Sequence, residues 1–184
     1  MKKGLIAVIA VFAIVLVMIF SGYNGLVGMN EDVNGKWAQV ENQLQRRADL
    51  VPNLVSTVQG YAKHEQDAIK AVSDARSKLA GAQTPVTKAE ANGELSGALS
   101  RLLMVAENYP NLKADQNFRA LQDELAGTEN RLAVARQDYN NVVQTFNTKI
   151  KTLPTSIYAG MLGFSQKEYF KVEENKKAVP QVKF

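Results

Sequence analysis

From Gly4 to Phe20 the chain reads GLIAVIAVFAIVLVMIF, with no charged or polar side chain in the run. Extended to Tyr23, the run holds about 20 residues, the number an α-helix needs to cross a hydrocarbon core of about 30 Å. Aliphatic residues with a single internal Phe and no charge insert readily into lipid. A cleaved signal peptide also begins with basic residues. Its apolar stretch is usually only about 7–15 residues, however, and small residues precede the cleavage point. Here Ile19 or Phe20 stands where a small residue is needed for cleavage near Ser21 or Gly22. The sequence therefore favours a retained anchor over residues 1–23.

Flanking charge sets the expected orientation. Lys2, Lys3 and the amino terminus lie before the run, and the first basic residue after it is Lys36. Glu31 and Asp32 count little under this rule. The expectation is a cytoplasmic N-terminus with the remainder outside the cytoplasm. Lys2, Lys3 and Tyr23 are the candidate membrane-interface residues. Glycines 22 and 25 mark residues 24–32 as a juxtamembrane hinge.

Beyond the hinge the apolar residues recur at helical spacing. Trp37, Leu44, Val51, Val58, Val72 and Leu79 fall on a seven-residue register, with Val40, Leu54, Tyr61, Ala68 and Ala75 on the adjoining seam. Such a stripe packs one helix along others over its whole length. It predicts a helix from Val33 to Leu79, kinked or split at Pro52, which lacks an N–H and clashes with the preceding turn. Arg47 and Glu65 interrupt the stripe at core-like positions. Residues 81–93 read as a linker. A short helix over 94–108 places Leu95, Leu99, Leu102 and Ala106 on one side, and Tyr109-Pro110 ends it. Asp115 reads as an N-cap for a helix to Lys151, with Phe118, Leu125, Leu132, Tyr139 and Phe146 on one seam and Leu121, Thr128, Ala135 and Val142 on the other. No stretch alternates with period two.

The fold class is therefore all-α: an N-terminal transmembrane helix, then an antiparallel bundle of three to four long helices over residues 33–155. Residues 156–184 read as a short helix near Ile157 followed by an extended tail with aromatic anchors.

Charge and composition narrow the chemistry. The net charge is +4, of which Lys2 and Lys3 supply half, and the other charges are mixed in sign. Arg46-Arg47 and Lys176-Lys177 are too short to track phosphates, so no nucleic-acid partner is expected. The chain has no cysteine, which excludes disulfides, thiolate metal sites, a cysteine nucleophile and a lipidated N-terminal cysteine. His64-Glu65 lacks the second histidine a zinc-protease helix needs, because residue 68 is Ala68. A bundle di-metal site needs Glu three residues before His, and Tyr61 occupies that place. Nucleophile elbows, phosphate loops and dinucleotide glycine motifs are missing. The sequence thus predicts no enzyme, no cofactor and no small-molecule substrate. Arg46, Arg47, Asp49, His64 and Glu65 remain as a candidate polar cluster, serving either an inter-helix ion pair or a partner. Glu124, Glu129, Asp49 and Glu65 are the candidate carboxylates for Arg47. Trp37 suits a headgroup position, but its register favours the core.

Several long motifs carry a family likeness: Tyr23-Asn-Gly-Leu-Val27, Gln45-Arg-Arg-Ala-Asp-Leu-Val-Pro-Asn-Leu-Val55, and Val58-Gln-Gly-Tyr-Ala-Lys-His-Glu65. Glu107-Asn-Tyr-Pro-Asn-Leu-Lys113, Gly127-Thr-Glu-Asn-Arg131, Ala135-Arg-Gln-Asp-Tyr-Asn140 and Pro180-Gln-Val-Lys-Phe184 continue it. On these the chain resembles the LemA family of bacterial membrane proteins. The resemblance implies an anchored helical bundle without an established active site. It also implies a short N-terminus outside the cell, against the charge-based expectation. Some relatives carry a lipoprotein cysteine, which this chain lacks.

The function expected is a membrane-anchored scaffold or interaction module of the bacterial envelope, bound to lipid through residues 4–23 and to itself or another envelope protein. The alternative is a lipid-engaging or membrane-shaping protein, with 157–164 as its candidate contact.

Overall fold

The computed structural model describes residues 2–62 and 64–171. The expectations for Lys176-Lys177 and for Pro180–Phe184 lie outside the described residues, as does the side chain of Lys2. The elements are α1 (Lys2–Tyr61), α2 (Gln66–Gly81), α3 (Pro85–Ala106), α4 (Pro110–Ala114), α5 (Gln116–Lys151) and α6 (Thr155–Tyr158). Among the described residues there is no strand, as the missing period-two pattern predicts. The described residues divide into two compact units: 2–38 with 138–167, and 39–137 with 168–171.

In the second unit, residues 39–61 of α1, with α2, α3 and residues 116–137 of α5, bury most of the expected seams, although Tyr61 is exposed and Leu121 half-buried. Val40, Leu44, Val51, Leu54, Val58, Val72, Ala75 and Leu79 are core residues, as are Leu95, Leu99, Leu102, Phe118, Leu125 and Leu132. Helices α1 and α5 run antiparallel: Arg46 and Arg47 face Glu124 and Glu129, and Tyr61 reaches Asp115 near the start of α5.

In this unit several local expectations differ from the structure. Pro52 does not split the helix; it lies exposed inside α1, and the carbonyl it leaves free is met by a side chain of α2. The break comes instead after Tyr61, where Glu65 interrupts the stripe. Beyond it Val72, Ala75 and Leu79 keep the expected register, but Ile69 is buried in place of the expected Ala68. The stretch 81–93 is mostly helix. Thr84 accepts from the Thr87 N–H at 3.2 Å and donates its own N–H to the Thr87 hydroxyl at 3.0 Å. This reciprocal cap, with Pro85 in the first turn, starts α3 nine residues early. The helix was hidden because its buried first turns carry Ala89, Ala91 and Asn92 rather than large apolar residues. The Asp115 cap is as expected: its Oδ1 accepts from the Phe118 N–H at 2.9 Å.

In the first unit, residues 24–32 are helical, not a hinge. Leu26 and Val33, one heptad apart, are buried there. That burial holds the segment helical despite Gly25 and Gly28, each of which weakens a helix by only about 1 kcal/mol. Tyr139, Val143, Phe146 and Ile150 are the buried apolar residues of α5 in this unit. Val143 is thus buried, while the expected seam residue Val142 is only half-buried.

Candidate functional site

The guanidinium of Arg47 is the most deeply placed charge of the candidate cluster. α1 carries it to the bundle interior, where the residue is 5% exposed. One Nη donates to Asn92 Oδ1 of α3 at 2.7 Å and lies 2.6 Å from Glu129 Oε2 of α5. The Glu129 contact is a close charge pair without hydrogen-bond alignment, and Arg47 Nε has no hydrogen-bond partner among the described residues. Burial pushes the Arg47 pKa down, and the Glu129 charge pulls it back. Its ordinary value is so high that the group stays charged. The Glu129 side chain is about half-exposed at 47%, but the Oε2 that faces Arg47 is buried and has no hydrogen-bond partner among the described residues.

Arg46 points elsewhere. It pairs with Glu124 at 2.7 Å, and Glu124 also receives Arg131 at 2.8 Å. The other three cluster candidates do not join the arginines. Asp49 accepts from Gln45 at 2.8 Å on the exposed face. His64 is exposed in the link between α1 and α2. Glu65 accepts from the Tyr109 hydroxyl at 2.9 Å, which raises the Tyr109 pKa. Of the four carboxylates considered for Arg47, the structure selects Glu129. The arrangement ties α1 to α3 and α5; it brings no base beside a nucleophile. Among the described residues, no group of three or more His, Asp or Glu could hold a metal ion.

Asn92 is the partner that sequence reasoning missed, because it lay in the presumed linker. Its only local signal is position: three residues before Leu95 and seven before Leu99, on the buried face of α3.

A groove runs between α2 and α3. Ala71 and Ala75 line one side and Gly93, Gly97 and Ala98 the other, with Asp74, Lys78, Glu90, Glu94 and Arg101 along it. A methyl group added at Gly93 or Gly97 would meet nothing within 4 Å. Lys78 and Glu94 pair across the groove at 2.6 Å.

The candidate interface residues lie in the first unit. The stretch 4–20 is long and apolar enough to cross a membrane, and none of its most apolar window is buried by protein. Lys3 is exposed before it. Tyr23 is partly exposed and meets Phe164 at a ring distance of 5.9 Å, and Phe164 meets Phe146 at 6.3 Å. Close by, Gly22 lets the Tyr158 hydroxyl approach so near that a Cβ would lie 2.0 Å from it. Buried Asn147 donates to the Lys167 carbonyl at 2.9 Å and accepts from the Lys167 N–H at 2.8 Å, pinning the extended segment after Phe164. Trp37 packs on Tyr139, ring centroids 5.0 Å apart, and is half-buried rather than the core residue its register predicts.

Similarity to known proteins agrees with the motifs. The LemA family model matches residues 36–184. Magnetosome protein MamQ 2 of Paramagnetospirillum magneticum is 29% identical over 191 residues, covering 90% of this chain and 70% of that protein. Magnetosome protein MamQ of Magnetospirillum gryphiswaldense is 27% identical with the same coverage. Protein LemA of Metamycoplasma hominis is 23% identical over 152 residues, covering 82% of this chain and 69% of its own. The match over residues 36–184 takes in Arg46 and Arg47 and most of the chain beyond the apolar run: the protein belongs to the LemA family.

Proposed function

We propose that residues 4–23 anchor the chain in a bacterial envelope membrane and that the bundle is a protein-interaction module rather than an enzyme. The observation that carries this reading is the α2–α3 groove. Its floor of alanines and glycines allows close approach of another backbone, between margins that carry charged side chains. The buried charge of the bundle is committed to internal pairs, which suits a rigid platform. The excess of Lys2 and Lys3 before the span favours a cytoplasmic N-terminus with the bundle outside.

Site-specific photocrosslinking from Ala71 and Gly97 in native membranes tests the module. A discrete adduct, with another envelope protein or with a second copy of the chain, is the expected result. A chain that stays free of adducts at both positions would count against it. Because the chain lacks cysteine, single-cysteine variants at Asn24 and Lys3 report orientation through an impermeant maleimide. Labelling of Lys3→Cys alone in intact cells would reverse the orientation proposed.

A further inference from the structure

We infer that Leu153, Ile157, Met161 and Leu162 form a second lipid contact, seated in the bilayer interface beside the point where α1 leaves the membrane. All four are exposed, at 77%, 68%, 83% and 39%. Outside α1, the other exposed large hydrophobic residues among those described are Met104 and Val134, single residues on different helices. Scattered apolar residues are normal on a soluble surface, whereas a contiguous cluster marks an interaction site.

The occupant is argued from place. The inner face of α6 is closed: Thr155, Tyr158 and Ala159 are buried. Tyr158 is lodged against Gly22, and Phe164 packs on Tyr23, so the segment is held against the last turn of the apolar run. Apolar surface in the 153–162 segment therefore continues the apolar surface of the span. The segment is also fixed in shape. Gly163 adopts φ +83°, and the Phe164 N–H closes back on the Ala159 carbonyl at 3.0 Å. Lys149 and Lys151, both exposed just before Leu153, suit phosphate headgroups, with their aliphatic stems along the apolar edge. This combination matches an interfacial element whose apolar face sinks about 5–10 Å into the headgroup and acyl boundary.

The inference rests on residues 4–23 crossing the bilayer, and the test separates the two. Spin labels are placed singly at Phe12, Ile157, Met161 and Val134 of the full chain in phosphatidylethanolamine–phosphatidylglycerol vesicles. Collision with oxygen, which partitions into lipid, is compared with collision with a water-soluble nickel chelate. Labels at 12, 157 and 161 are expected to favour oxygen, with 12 the deepest, while 134 favours the chelate. Nickel-accessible labels at 157 and 161 with a lipid-buried label at 12 would overturn the second contact and leave the anchor standing. Labels at 157 and 161 shielded from both reagents would also overturn it, since that marks a protein partner or a second copy. A water-exposed label at 12 would overturn both.

Discussion

Arg76 Nε donates to the backbone carbonyl of Ala48 at 2.8 Å, and Ala48 is the residue whose carbonyl would accept the N–H that Pro52 lacks. A proline inside a helix leaves the carbonyl four residues earlier without its partner. A guanidinium on α2 supplies that partner here, joining α1 to α2 at the point where α1 would be weakest. Removing Arg76 leaves a carbonyl unsatisfied, with a penalty of about 1–2 kcal/mol. Arg76→Met should destabilise by that amount in chemical denaturation of the detergent-solubilised protein. In a Pro52→Ala background, residue 52 regains its N–H, and the penalty of Arg76→Met should fall by roughly half or more. Equal penalties in both backgrounds would show that the two residues are not linked.

Arg47→Met should destabilise the bundle by about 1–3 kcal/mol, chiefly because the buried Asn92 amide loses its partner. Glu129 adds to the loss, since the oxygen that faces Arg47, Oε2, is buried and has no hydrogen-bond partner among the described residues, although the rest of the side chain reaches solvent. The double variant Arg47→Met with Asn92→Leu removes both buried polar groups and should recover most of the loss. Arg47→Lys should fall between, because a single ammonium replaces the planar fork. Thermal unfolding followed by circular dichroism ranks the four proteins. A double variant no better than the single one would mean that Asn92 carries none of the loss.

Gly22→Ala forces a methyl group onto the Tyr158 hydroxyl, 2.0 Å from the position of its Cβ. The Tyr158 ring must move, and the 153–167 segment should become sensitive to limited proteolysis. Gly25→Ala and Gly28→Ala meet nothing within 4 Å and should leave protease resistance unchanged, with a small gain in helix propensity. Identical digestion of all three variants would refute the role given to Gly22.

The Phe118 N–H, followed by the Tyr61 hydroxyl, holds the Asp115 carboxyl below the usual carboxylate range, and the same contact raises the Tyr61 phenol. A depressed carboxyl pKa contributes stability that is present above its unfolded value and lost as pH falls through the folded one. A raised phenol pKa contributes stability below the unfolded tyrosine value that is lost as pH rises through the folded one. The stability gap between wild type and Asp115→Asn should therefore be full at neutral pH and close in acid, below the ordinary carboxylate pKa. Tyr61→Phe should lose the alkaline limb of the profile. Melting temperatures across pH give both limbs; an Asp115→Asn gap constant into strong acid would contradict the assignment.

Much of this architecture was legible in the sequence because the signals were local. The uninterrupted run from Gly4 to Phe20, the seven-residue recurrence from Phe118 to Phe146 and the Asp115 cap each depend on residues within a few turns of one another. Solvent exposure and backbone geometry act on such patterns whatever the rest of the chain does. The tertiary structure decided what those patterns leave open. Residues 24–32 stay helical because Leu26 and Val33 find a buried place, and Pro52 stays inside α1 because Arg76 arrives from another helix. Arg47 takes Glu129 and Asn92 rather than Asp49 or Glu65 because only the first two stand beside it once the helices align. The physical reason is common to all three. A free carbonyl, a glycine in a helix or a buried charge is unfavourable alone, and whether it is tolerated depends on an atom that another element brings within reach.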